Sequence, residues 1–107
     1  MPVHNGEAFL LEAVESILGQ SFHDFELILI DDASDDRTPD LIKKIDDPRI
    51  RVFTNNQNKG LTRNLNWAVE IAEGRYIARM DADDIAHPER LARQFAFMEK
   101  HPDHGLC

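Results

Sequence analysis

The feature that most constrains the fold is an alternation of short apolar runs with stretches in which apolar residues recur every three or four positions. Residues 25–30 form a nearly continuous apolar run that stops at Asp31 and Asp32. Such a run is typical of a strand buried on both faces of a parallel sheet. Shorter runs at residues 50–53 and 76–80 predict two further strands. The alternation predicts an α/β fold, with a mainly parallel sheet flanked by helices and right-handed crossovers.

Apolar stripes at helical spacing predict the helices of this fold, over residues 7–19, 38–46, 61–74 and 87–101. Proline stands in the first turn of the second and fourth helices, and glycine closes the first and third. The expected buried stripes of the third and fourth helices consist of Leu61, Leu65, Ala68, Val69 and Ala72, and of Leu91, Phe95 and Met98. Trp67 is expected to pack into the core beside the third stripe.

Size and charge exclude several classes of protein. A chain of 107 residues forms at most one domain. Its formal charge of -8 would repel a nucleic-acid backbone, so no nucleic-acid partner is expected. No apolar stretch is long enough to span a membrane, and the start of the sequence does not resemble a signal peptide. We expect a cytoplasmic location, with any membrane tether supplied by sequence outside this chain.

Polar clusters stand where the predicted strands end. They are His4-Asn5-Gly6, Asp31-Asp32, the loop at residues 55–59, and the acidic segment at residues 81–84. In parallel α/β sheets, ligands bind beyond the carboxyl ends of the strands. We therefore expect the four loops to converge on one crevice.

The pair Asp81 and Asp83, separated by Ala82, suggests a site for a hard divalent cation. On extended backbone the two carboxylates would lie on the same side of the chain. Oxygen ligands favour Mg²⁺ or Mn²⁺, which keep coordination positions that phosphate oxygens can fill. The alternative is an acidic turn that caps the helix beginning near Pro88.

Two other clusters suggest contacts with a nucleotide. Asp31 and Asp32 could accept hydrogen bonds from a base or a ribose, although acids at this position could also simply start the next helix. Lys59 and Arg63 flank an Asn/Gly turn and could meet a phosphate or a base carbonyl, or could form surface salt bridges. His4 is a candidate for lining the base pocket.

Four ordered blocks are MPVHNGEAFLLEAVESIL, FELILIDDASDDRTPDLI, NKGLTRNLNWAVEIAEGRYIARMDADD and HPERLARQ. Together they resemble the N-terminal, nucleotide-sugar-binding portion of glycosyltransferase family 2, over nearly the whole chain. The resemblance implies a GT-A fold, incomplete here, and a nucleotide diphosphate sugar donor that is often UDP-linked. It also implies a divalent metal, inversion at the anomeric carbon, and a glycan, lipid or other hydroxyl acceptor, commonly in polysaccharide assembly.

By position, the resemblance assigns residues to the donor site. The assigned nucleotide-binding residues are Pro2, Val3, His4, Asp31 or Asp32, and Arg63. In the DxD pair, the resemblance places Asp83 on the metal and Asp81 nearer the ribose. The general base of an inverting enzyme would come from an acceptor-binding half, downstream of these residues.

We accordingly expect residues 1–107 to be a partial domain, the donor-binding half of a longer enzyme, and to be inactive alone. Two alternatives belong to other classes of protein. Asp31 and Asp32, after the first predicted strand, are also typical of a phosphoacceptor receiver domain. The second alternative is a non-catalytic module that binds a nucleotide sugar or a partner protein. It would make the same predicted contacts but would not catalyse transfer.

Overall fold

The computed structural model describes all residues from Met1 to Cys107. The strands are β1 (Pro2–Val3), β2 (Leu27–Asp31) and β3 (Ile50–Thr54). The helices are α1 (Leu10–Leu18), α2 (Thr38–Lys43), α3 (Leu61–Ile71) and α4 (Arg90–Lys100). All four predicted helices are therefore present, and each is shorter than its stripe suggested.

The three strands form one parallel sheet in the order β1-β2-β3. β2 lies in the centre, and all five of its residues are buried. β3 pairs with β2 along its whole length, from Leu27 opposite Ile50 to Asp31 opposite Thr54. β1 contributes only two residues to the sheet. The predicted α/β class with a mainly parallel sheet is confirmed.

The core lies between the sheet and α1. α1 buries Leu10, Ala13, Val14 and Ile17, the stripe that the sequence predicts, against Leu27 and Leu29 of β2. Burial of each large aliphatic side chain stabilises the fold by roughly 1.5–3 kcal/mol. α1 ends at Gly19, whose backbone N–H donates to the carbonyl of Glu15. This layer holds β2 in place and so fixes where Asp31 and Asp32 emerge.

The strand predicted at residues 76–80 is not formed. Met80 is the one buried residue of this segment and belongs to the core cluster, whereas Ile77 is 55% exposed. A strand requires a neighbouring backbone to pair with. β1 pairs with β2 on one side and offers only two residues, so residues 76–80 have no hydrogen-bonded partner strand.

The stripes predicted for α3 and α4 are only partly covered. In α3 the one buried residue is Asn64, and both Leu61 and Val69 are exposed; in α4 no residue is buried. Trp67 is 37% exposed and packs edge-on against Phe53, so its prediction as a core residue is wrong. The sheet does not extend under these helices, because the strand at residues 76–80 is missing.

A buried side chain connects α1 to the beginning of α4. Gln20 donates from Nε2 to the carbonyls of Ser16 and His87 at 3.0 and 2.7 Å, and its Oε1 accepts from the backbone N–H of Leu91 at 3.0 Å. Gln20 thereby satisfies one of the free N–H groups at the start of α4. None of the helices combines the length and apolar character that a bilayer span requires.

Candidate functional site

Asp32 organises the carboxyl edge of the sheet. Its Oδ1 accepts from Asn55 Nδ2 and from the Lys59 backbone N–H, both at 2.8 Å, and its Oδ2 accepts from the Gly60 backbone N–H at 2.9 Å. Burial opposes ionisation of this carboxyl, but hydrogen bonds from Lys59, Asn55, Asn64 and Gly60 outweigh it and lower the pKa of Asp32 to about 2. At neutral pH Asp32 is therefore a carboxylate that fixes the loop before α3.

The segment after β1 approaches Asp32 from the other side. His4 donates from Nδ1 to the backbone carbonyl of Asp32 at 2.8 Å, because a carbonyl can only accept. In the neutral imidazole this leaves Nε2 as a free acceptor. The lack of a side chain at Gly6 lets its backbone lie close to Val3, since a Cβ added at Gly6 would lie 2.5 Å from Val3 Cγ2. Its backbone N–H donates to Thr38 Oγ1 at 2.9 Å.

Asp31 has a different role from Asp32. It is buried, and its Oδ1 accepts from the backbone N–H of Ser34 at 3.1 Å, which closes the turn that leads to α2. Ala33, which lies within this turn between Asp31 and Ser34, adopts a left-handed φ of 57°. The hydrogen bond of Asp31 matches the helix-starting alternative more closely than a contact with a base.

An open cleft lies beside the Asp32 carboxylate. It is lined by Pro2, Val3, His4, Asp32, Asn58, Gly60, Leu61 and Asn64. The first four are among the residues that the sequence singles out. Asp31, Lys59 and Arg63 do not line the cleft. Arg63 is exposed and forms no salt bridge, so the surface-pair alternative for Arg63 is not realised.

The acidic segment at residues 81–84 lies apart from this cleft. Asp81 and Asp84, with Arg79 and Met80, line a second depression that shares no residue with the first. The backbone here is a turn closed by the Asp84 N–H on the Asp81 carbonyl at 3.3 Å, and not the extended chain that the sequence suggests. The turn follows from the absence of a strand at residues 76–80. The structure thus brings three of the four polar clusters together.

The side chains of this turn fit a divalent cation in part. Asp83 is exposed, and the half-exposed carboxylate of Asp81 accepts two hydrogen bonds from Arg79 at 2.8 and 3.2 Å. Nowhere do three side chains of the metal-binding types gather. Mg²⁺ is commonly held by one or two carboxylates, with water and phosphate oxygens completing its shell. The carboxylates of Asp81 and Asp83 therefore fit one part of such a shell, and Arg79 occupies Asp81 in the structure.

The Met1 amino group connects the turn to the sheet. It donates to the carbonyl of Ile28 at 2.8 Å. Burial lowers the pKa of this amino group to about 6, and the negative charge of Asp81 opposes the shift.

Sequence reasoning missed Asn64. It is the only buried residue of α3, and its Oδ1 accepts from Asn55 Nδ2 at 2.8 Å. Asn55 also donates to Asp32, so one amide connects the two cleft residues. A signal was available: Asn64 stands three positions after Leu61, where the helical stripe calls for an apolar residue.

Comparisons with known proteins agree on one family. The sequence profile described as Glycosyl transferase family 2 matches residues 1–107. EpsE of Bacillus subtilis (strain 168), provisionally named a glycosyltransferase, is 46% identical over 104 residues, which are 94% of this chain and 37% of that protein. The chain is also 42% identical over 96 residues to WfaP of Escherichia coli, covering 90% of this chain and 38% of WfaP. WfaP is named UDP-Glc:alpha-D-GlcNAc-diphosphoundecaprenol beta-1,3-glucosyltransferase.

Solved structures of TarS from S. aureus have the same fold. TarS 1-349 matches with a TM-score of 0.86 at 30% identity, over 94% of this chain and 31% of TarS 1-349. Its complex with UDP-GlcNAc matches with a TM-score of 0.87 at 30% identity, over 94% of this chain and 30% of that one. The predicted GT-A-like fold is confirmed for a partial domain. The chain spans roughly a third of the length of these relatives.

Proposed function

The chain belongs to glycosyltransferase family 2, and we propose that it is the donor-binding part of an enzyme that transfers a sugar from a nucleotide diphosphate sugar to an acceptor hydroxyl. The observation that carries the proposal is the cleft beside Asp32, at the carboxyl ends of β1 and β2. It belongs to a fold that TarS shares, and TarS has been solved with UDP and with UDP-GlcNAc. Family membership sets aside the receiver-domain alternative.

We propose that UDP occupies this cleft through its base and ribose. Asp32 is a carboxylate at the wall of the cleft, held by the backbone N–H groups of Lys59 and Gly60 and by the Asn55 amide, and its oxygens are the proposed acceptors for a ligand N–H or hydroxyl. His4, whose Nδ1 bonds the Asp32 backbone carbonyl, lines the same cleft and is a second proposed contact. Because these groups are held by backbone and buried amides, a ligand meets an ordered surface, and little further ordering opposes binding.

The diphosphate would extend from the cleft toward the acidic turn. A divalent ion held there by Asp83 and Asp81 would neutralise the charge that develops on the diphosphate as it leaves. Asp81 and Asp83 are the proposed ligands, and Mg²⁺ or Mn²⁺ the proposed ion, because both ligands are carboxylates. Lys59 and Arg63 are exposed beside the cleft and are proposed to contact the phosphates.

Transfer by this family implies inversion, in which an acid deprotonates the acceptor hydroxyl for in-line attack. We propose that this general base, and the acceptor site, lie outside residues 1–107. The acceptor class is a glycan, a lipid-linked sugar or another hydroxyl compound. WfaP, whose name specifies a lipid-linked diphosphate acceptor, supports the second of these.

Thermal unfolding of the chain, followed by circular dichroism, tests the donor site. UDP and MnCl₂ together should raise the midpoint, because a ligand at 100 times its Kd stabilises the folded state by about 2.7 kcal/mol. Asp83→Asn should abolish the part of the rise that requires Mn²⁺, whereas Asp103→Asn, at an exposed position outside both depressions, should not. A midpoint that UDP and MnCl₂ leave unchanged would contradict the proposal.

A further inference from the structure

One guanidinium group faces the acidic turn. Both hydrogen bonds that the Arg79 side chain makes go from Nη2 to the two carboxylate oxygens of Asp81, at 2.8 and 3.2 Å. The pair lines the depression at the turn, and the two side chains are 55% and 45% exposed. An ion pair as exposed as this one contributes little, so another cation can displace Arg79 from Asp81.

The backbone around Arg79 is anchored, so a change of partner requires only a side-chain rotation. The Arg79 carbonyl accepts from Arg90 Nη2 at 2.7 Å, and the next residue, Met80, is 6% exposed within the core cluster. Exposed side chains change rotamer within nanoseconds. The guanidinium can therefore turn from Asp81 to another anion while the main chain stays in place.

A diphosphate bound through a divalent ion at Asp81 would be such an anion. Mg²⁺ holds its oxygen ligands at about 2.0–2.1 Å in octahedral geometry, so a phosphate oxygen next to the carboxylate in the same shell lies about 3 Å from it. Arg79 Nη2 already lies 2.8 Å from that carboxylate, so the phosphate would come within reach of the same side chain. The planar fork of N–H donors on an arginine matches the oxygens of a phosphate.

We propose that Arg79 is a further donor-binding residue that exchanges partners. In the absence of the donor it pairs with Asp81, and when an ion takes its place on Asp81 it binds the diphosphate. This inference rests on the proposed function and adds a residue to it. Before the donor arrives, Arg79 competes with the ion. With the donor in place, its positive charge adds to that of the ion at the leaving diphosphate.

Titration of the chain with MnCl₂ in the absence of nucleotide, followed by the EPR signal of free Mn²⁺, tests the competition. Arg79→Gln should bind Mn²⁺ about two- to fivefold more tightly than the wild type, because the competing charge is gone. Arg93→Gln removes the same charge from an exposed pair with Glu89, outside both depressions, and should leave the affinity unaltered. In a chain that carries Asp81→Asn, Arg79→Gln should have no effect. Equal affinities of the wild type and Arg79→Gln would overturn the competition.

Titration with UDP and with uridine at saturating MgCl₂, followed by NMR, tests the contact with the diphosphate. Arg79→Gln should weaken UDP about three- to tenfold and leave uridine unchanged, because only UDP carries phosphates. Arg79→Lys keeps the charge, so its UDP affinity should lie closer to that of the wild type. Arg93→Gln should change neither affinity.

The two ligands also separate the possible failures. A purely structural role of Arg79 would weaken UDP and uridine equally. That result, or an Arg79→Gln chain that binds UDP as tightly as the wild type, would overturn the role of Arg79 and leave the donor site standing. A wild-type chain that binds neither UDP nor uridine would overturn both proposals.

Discussion

β2 and residues 76–80 begin from similar sequence patterns and reach different structures. Each is a short apolar run that ends in acidic residues. β2 has a partner strand on either side and is buried throughout, whereas residues 76–80 pair with no strand and leave Ile77 exposed. The difference shows that an apolar run becomes a strand only where a neighbouring backbone can satisfy its N–H and C=O groups.

The same difference extends to the acids that follow. Asp32 emerges from a paired strand, and the loop before α3 holds its carboxylate, while Asp81 emerges from an unpaired segment and its carboxylate hydrogen-bonds only with the exposed Arg79. The nucleotide end of the proposed site is therefore ordered by the fold. We propose that the acidic turn gains its final geometry only when a divalent ion and a diphosphate bind.

The largest expected effect is a contrast between two identical substitutions, one in β2 and one at an exposed position after α4. Leu29→Ala in β2, where the side chain is 0% exposed, should lower the free energy of unfolding by about 2–5 kcal/mol because it opens a cavity in the core. Leu106→Ala, at a position 85% exposed, should change it by less than about 0.5 kcal/mol. Urea denaturation measures both, and comparable losses would contradict the assignment of the core to β2.

The next effect concerns the connection between α1 and α4. Gln20→Leu should destabilise the chain by about 2–3 kcal/mol, since it leaves the His87 carbonyl and the Leu91 N–H without their buried partner. Gln57→Leu, in the exposed loop before α3, is the matched control and should be near neutral. If the two variants melt at the same temperature, Gln20 does not hold α4 to α1.

Acid should weaken the ordered end of the site. The pKa of Asp32 is about 2 in the folded chain against a usual 3.8, so the stability it adds is fully present above pH 4 and is lost as the pH falls toward 2. The loss attributable to this group is about 2 kcal/mol. In urea denaturation, Asp32→Asn should reduce the fall in the free energy of unfolding between pH 4 and pH 2, whereas Asp103→Asn should not. An unchanged pH profile in Asp32→Asn would show that the loop hydrogen bonds do not depend on the charge.

The smallest expected effect is an increase in the free energy of unfolding. Ala33 has a φ of 57°, a conformation that costs an alanine about 1 kcal/mol and a glycine almost nothing. Ala33→Gly should therefore raise the free energy of unfolding by up to about 1 kcal/mol. Ala8→Gly, at an exposed position without a positive φ, should give no gain. If the two substitutions change the free energy of unfolding by the same amount, the turn between Asp31 and Ser34 relaxes in solution.

The sequence predicted the elements whose signals are local. The stripe of α1, the apolar run of β2 and the proline at the start of α2 each appear in the structure as expected. The strand predicted at residues 76–80 is absent and the stripes predicted as buried in α3 and α4 are mostly exposed, because their burial depends on a sheet edge that residue patterns do not reveal.

The sequence also predicted part of the candidate site. Pro2, Val3, His4 and Asp32 follow from the rule that ligands bind at the carboxyl ends of parallel strands. The different roles of Asp31 and Asp32 could not be predicted from two adjacent aspartates. They depend on which carboxylate accepts hydrogen bonds from the backbone of Lys59 and Gly60. Asn64 required the three-dimensional contact with Asn55 to be noticed.

Titration of the isotopically labelled chain with UDP and MgCl₂, followed by two-dimensional NMR of the backbone amides, tests the central claim most directly. The account predicts that UDP shifts the signals of His4, Asp32, Gly60 and Asn64, and that addition of Mg²⁺ extends the shifts to residues 81–84. Shifts confined to the exposed faces of α3 and α4, or no shifts at millimolar UDP, would contradict a nucleotide site at the carboxyl edge of this sheet.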